Sequence, residues 1–105
     1  MEREEKEEKQ PEPVSVYDLV ASALYALVDI AWVKMGLQPD PLTRQPATDM
    51  AEARLAIDVA AQLAEALDPK LTDDERRQIQ ALLSNLRINF VRQKDAQPKD
   101  EGSEA

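Results

Sequence analysis

The chain has 105 residues and a formal net charge of −8, and it contains neither cysteine nor histidine. That leaves room for one domain and excludes disulfides, thiolate zinc sites, thiol chemistry and histidine-based catalysis or metal binding. The acidity also speaks against direct nucleic-acid contact, because affinity for phosphates comes from clustered lysine and arginine.

Residues 1–13 (MEREEKEEKQPEP) have no apolar side chain after Met1 and end in Pro-Glu-Pro. Such a segment cannot bury enough surface to offset its ordering entropy, so it is expected to be a disordered acidic tail. The chain then changes character. From Val14 to Met35 it reads VSVYDLVASALYALVDIAWVKM, mostly apolar and free of Gly and Pro.

At 100° per residue, Tyr17, Ala21, Leu24, Val28, Trp32 and Met35 fall on one side of a helix over about 15–35. Leu19, Ala23, Ala26, Ile30 and Val33 fall on the other, and only Asp18, Ser22 and Asp29 form a polar strip between them. A helix covered from one side needs an apolar stripe somewhat wider than about 100°. This one is apolar around most of its circumference, so it needs cover from more than one direction. Other helices, a second copy or lipid could supply it. Lipid is disfavoured, because Asp18, Asp29 and Lys34 interrupt the run and a carboxylate deep in a bilayer costs about 2.5–3.5 kcal/mol. A secretory signal also fits poorly, since its apolar run would follow a basic segment.

Ser15 is the expected N-cap, with Asp18 serving the positive end, and Gly36 is the expected left-handed C-terminal stop. Leu37–Ala47 (LQPDPLTRQPA) holds Pro39, Pro41 and Pro46 and is expected to be an extended, stiff strap to the next helix. Thr48 is the expected cap of a second helix, 49–67. Met50, Ala53, Ile57, Ala60, Ala64 and Leu67 form its apolar stripe, widened by Leu55, Val59 and Leu63. Its many alanines favour helix and close approach of a neighbour. Asp68-Pro69 closes it.

Thr72-Asp73-Asp74-Glu75 is a capping box opening a third helix, 73–92, with Ile79, Leu82, Leu83, Leu86 and Phe90 on one face. Residues 93–105 are again tail-like. No alternating strand pattern appears. The expected fold is all-α: a three-helix domain over 14–92 with a strongly apolar first helix, flanked by disordered charged tails.

No constellation points to catalysis. The two glycines, Gly36 and Gly102, cannot build a phosphate-binding loop, a dinucleotide fingerprint or a nucleophile elbow. Asp18 and Asp29 share the polar strip, but eleven residues along a helix put them about 16 Å apart. They could work on one bond only across a symmetric interface. Asp73, Asp74 and Glu75 are explained by the capping box. Tyr25 and Trp32, seven residues apart, read as core or interface anchors, because no basic groove accompanies them. The expectation is a protein with no catalytic, cofactor-binding or metal-binding residues.

Four pieces of the chain, in order and spacing, resemble the bacterial domain-of-unknown-function 1844 family. They are Gly36-Leu37-Gln38-Pro39-Asp40-Pro41 after an apolar helix, Ala53–Asp58 (ARLAID), Leu71-Thr72 with Asp74-Glu75, and Leu86-Arg87. One departure lies at Leu67-Asp68-Pro69-Lys70, where the family carries a Lys-Thr-x-Gly-Asn-type turn. The resemblance implies a small cytoplasmic helical protein and supplies no activity and no functional residues. It also implies, for some members, a neighbourhood of translation genes.

A domain this small often gains stability by oligomerising. The expected function is therefore a cytoplasmic, non-enzymatic interaction module that self-associates through its first helix, a dimer being favoured. The expected interface is Tyr17, Ala21, Leu24, Tyr25, Val28 and Trp32, with Leu19, Ala23, Ile30 and Val33 turned toward the second and third helices. Periodicity does not label the faces, so they could be swapped. The alternatives are an accessory subunit of another complex, translation-associated, and a peripheral membrane protein.

Overall fold

The computed structural model describes residues 11–96. Within these residues three helices follow one another: α1 (Val16–Lys34), α2 (Met50–Leu67) and α3 (Asp73–Ala96), with a 3-10 turn, Asp68–Lys70, before the last. The described residues contain no strand, so the all-α expectation holds for them. The terminal stretches 1–10 and 97–105, expected as tails, lie outside the described residues.

Local chemistry sets each boundary. Ser15 sits in extended backbone and its hydroxyl accepts from the Asp18 N–H, at a long 3.4 Å, opening α1. At the other end Gly36 adopts φ +85°. The Gly36 N–H donates to Val33 O at 2.9 Å and the Leu37 N–H to Trp32 O at 3.0 Å. This pair of bonds is the Schellman motif, which satisfies carbonyls the helix leaves free. Glycine is needed here twice over: the backbone is left-handed, and a Cβ would lie 2.5 Å from Thr48 Oγ1.

The connection from α1 to α2 is less extended than its prolines suggest. Asp40 closes a loop on itself, its carboxylate accepting from the Leu42 and Thr43 N–H groups at 2.8 and 3.0 Å. The Asp40 N–H donates to Gln45 O at 2.9 Å, and the Arg44 N–H to Asp40 O at 2.8 Å. Arg44 takes φ 63° to complete the reversal. An Asp side chain that mimics a backbone turn overrides the extended bias of its proline neighbours. The two N–H bonds also hold the Asp40 carboxyl below its ordinary pKa.

The second helix starts one residue later than expected. Asp49, not Thr48, is the N-cap, accepting from the Glu52 N–H at 3.1 Å. Two adjacent residues could both cap, and the Asp49 N–H is fixed by donating to Lys34 O at 2.8 Å. That bond ties the end of α1 to the start of α2, making a helical hairpin. Asp68 and Pro69 end α2 as expected.

The capping box of α3 forms reciprocally, the Glu75 N–H donating to Thr72 Oγ1 at 3.1 Å and the Thr72 N–H to Glu75 Oε1 at 2.9 Å. Arg76 then clamps the turn. It reaches Asp68 Oδ1 at 2.7 Å, Asp73 Oδ1 at 2.8 Å and the Asp68 and Leu71 carbonyls. These partners, Asp68 first, raise its already high pKa. At the far end α3 runs four residues past the expected Arg92, and Gln93 Nε2 donates to Met35 O at 3.0 Å. A contact across 58 positions of sequence explains why local composition missed this turn.

One core joins the three helices: Leu24, Val28, Ala31 and Met35 of α1 and its cap, Ala53, Ala56, Ile57, Ala60, Ala64 and Leu67 of α2, and Ile79, Leu83 and Leu86 of α3. The complementarity is of large on small. Leu24 and Val28 need room, and the α2 stripe is mostly alanine, which lets the helices approach while filling the space between them. Burying a side chain such as Leu24 contributes roughly 1.5–3 kcal/mol. Among the described residues no polar or charged residue is buried.

Candidate functional site

The feature that calls for explanation is the part of α1 that the core leaves uncovered. Of the six residues expected at an interface between copies, Leu24 and Val28 are buried in the protein's own core, at 0% and 3% exposure. Ala21 and Trp32 are half-buried against that core. This corrects the expectation: most of that face is already occupied by α2 and α3. Tyr17 and Tyr25 stay about half exposed and, with Ala21, line an open cleft of about 250 Å³ beside Leu67, Leu71 and Ile79. Lys70 Nζ lies 5.1 Å from the Tyr17 ring centre, a cation–π contact at the cleft edge.

Of the four residues expected to face α2 and α3, Leu19 and Ala23 are turned outward together with their neighbours Val16 and Ala26, whereas Ile30 is half-buried against the core. Leu19 is 58% exposed, Val16 is 70% exposed, and Ala23 and Ala26 are exposed beside a half-buried Ile30. Only Val33 of that group is buried, and it lies apart from the main core. The reason for the reversal is packing. Ala23 and Ala26 laid on the alanines of α2 would leave voids, whereas Leu24 and Val28 fill them.

The outward face does not stop at α1. Leu27 and Ile30 border a shallow groove of about 310 Å³ with Leu55, Ala56 and Val59 of α2, closed at one end by the Lys34–Glu52 ion pair at 3.2 Å. Leu55 is 63% exposed there. Contrary to its expected place in the core stripe of α2, Leu55 faces away from the core and extends the apolar surface of α1. An exposed apolar strip built from two helices and bounded by polar groups marks a contact surface, for a protein or for a membrane.

The remaining surface offers less chemistry. Asp73 pairs with Arg76, and Asp74 with Arg77, while Glu75 serves the cap. Among the described residues no three acidic side chains converge to hold a metal ion. A second groove, about 470 Å³ between α2 and the end of α3, is lined by Ile57, Phe90 and Val91 among Arg54, Asp58, Arg87, Lys94 and Asp95. Its charges are of both signs, so it selects no ligand class. It was invisible in the sequence because it needs the last turn of α3.

By length and composition α1 would also qualify as a membrane-spanning helix. Only 22% of that window is buried inside the protein, at Leu24, Val28, Ala31 and Val33, and Asp18 and Asp29 stand exposed on its surface.

No curated protein and no solved structure matches the chain. A family match does exist, and it covers residues 15–92, that is α1, the looped connection, α2 and nearly all of α3. The chain therefore belongs to the family described as Domain of unknown function (DUF1844).

Proposed function

We propose that this protein is a non-enzymatic interaction module of the cytoplasm that associates with itself through α1, forming a dimer. The observation that carries the reading is the apolar outward face of α1, with Val16 70% and Leu19 58% exposed although the opposite face already fills the core. Exposed apolar area of this continuity disfavours a free monomer in water, since removing it from solvent is favourable at roughly 25 cal/mol per Å².

The non-enzymatic part of the reading is supported by the chain's chemistry. It has no histidine or cysteine, and the acidic cluster at 73–75 is engaged in capping and ion pairing. The test is Leu19→Asp, which places a carboxylate on the outward face without entering the core. Sedimentation velocity is expected to show the parent chain as a dimer and the variant as a folded monomer. A parent that is monomeric at every concentration would overturn self-association and direct attention to a different protein as the cover. Sedimentation of the parent with liposomes would instead favour a membrane surface.

A further inference from the structure

The outward face of α1 has a pattern that specifies its partner. Val16, Leu19, Ala23, Ala26, Ile30 and Val33 follow one another at intervals of three, four, three, four and three residues. This is the alternation of a helix–helix seam, about 3.5 residues per turn. The seam is also symmetric end to end in size. Val16 matches Val33, Leu19 matches Ile30, and Ala23 matches Ala26 about a centre between Leu24 and Tyr25.

Resting on the self-association proposed above, we propose that the partner is a second copy of α1 laid antiparallel on this face, Ala23 of each helix opposite Ala26 of the other. That alignment puts small side chains together at the middle, so the two backbones approach closely. It puts Leu19 against the partner copy's Ile30 on both sides of the two-fold axis. Val33 is already buried at the end of the strip, so the open contact runs from Val16 to Ile30.

The flanks of the seam decide between orientations. On one side lie Ser22 and Asp29, both exposed; on the other lie Val20 and Leu27, both half-buried. In an antiparallel pair, residues on like flanks meet. Apolar Val20 then meets Leu27, and the Ser22 hydroxyl can donate to the Asp29 carboxylate of the other copy, twice over by symmetry. A parallel pair crosses the flanks, setting Ser22 against Leu27. Its one charge match, Asp29 with Lys34, would compete with the Lys34–Glu52 pair already formed at 3.2 Å. Antiparallel packing also sets the positive end of each helix beside the negative end of its partner. Leu55 and Val59 border the apolar flank from α2 and widen the contact beyond a single helix pair.

The experiment exploits the absence of cysteine from the chain. Leu19→Cys and Ile30→Cys are made separately in the full chain, and each is oxidised alone and as an equimolar mixture after exchange of subunits. The expected result is a disulfide-linked dimer in the mixture, containing one copy of each variant, with little self-linking of either alone. Self-linking of each variant by itself, with sedimentation still giving a dimer, would overturn the antiparallel arrangement and leave self-association standing. A dimer that links in no combination would place the contact elsewhere and overturn this use of the face. Monomeric behaviour of both variants together with the parent would overturn both proposals. Leu19 is exposed and Ile30 is only half-buried at the edge of the core, so circular dichroism of each variant is expected to match the parent. As a second readout, Ala26→Leu puts bulk at the centre of the seam and is expected to weaken the dimer at least tenfold while leaving the helical signal unchanged.

Discussion

The two faces of α1 are nearly equal in apolar character and opposite in fate. The inner face carries its bulk in the middle, at Leu24 and Val28, and fits the alanine stripe of α2. The outer face carries its bulk at the ends, at Val16, Leu19 and Ile30, around the small pair Ala23 and Ala26. Hydrophobicity alone therefore does not decide which side of a helix enters a core. The placement of volume does, because interiors are close-packed and a void along a contact costs stability.

The comparison can be broken most severely from the inside. Leu24→Ala removes a side chain with 0% exposure and is expected to cost about 2–5 kcal/mol in urea unfolding. The matching change outside, Leu19→Ala, is expected to alter the stability of the isolated monomer by under about 0.5 kcal/mol. Equal losses at the two positions, measured below the concentration of association, would mean that the faces are not distinct.

The junction at the end of α1 is next in size. Gly36→Ala places a Cβ in left-handed backbone and against Thr48 Oγ1, and is expected to destabilise by about 1–3 kcal/mol in thermal or chemical unfolding. Unchanged stability would show that the connection gives way easily and does not fix α2 against α1. A smaller effect is expected from Gln93→Ala, which loses the bond to Met35 O and should cost about 0.5–1.5 kcal/mol. Faster hydrogen exchange in the last turn of α3 would accompany it.

The smallest effect concerns the looped connection. The Asp40 carboxyl titrates below its ordinary 3.8 when folded, because two backbone N–H groups bond its charged form. Its contribution is therefore fully present above about pH 4 and is lost as the pH falls through the lower, folded value. Asp40→Asn is expected to flatten the acid limb of the stability profile by lowering the neutral region slightly, with the stability below the folded pKa almost unchanged. A steeper acid limb in the variant would contradict the sign.

Much of this fold is written in short-range chemistry. Ser15, Gly36, Asp68-Pro69 and the Thr72–Glu75 box each mark an end where the structure places one, because capping depends on residues within a few positions. What escaped such reading depends on distance. The choice of Asp49 over Thr48 follows from its bond to Lys34, and the extra turn of α3 holds Gln93 against the end of α1. The same limit applies to the candidate surface. The sequence marks α1 as apolar on two sides, but assigning the sides requires the alanine stripe of α2 as the partner. Leu55 joins the outer surface only once α2 is docked.

The account turns on whether the outer face of α1 is covered by another copy of the chain, and light scattering of the full-length protein over a dilution series measures this directly. A mass of twice the 11.8 kDa chain, falling toward one chain only at the lowest concentrations, is the expected result. A mass of one chain throughout the series would contradict it.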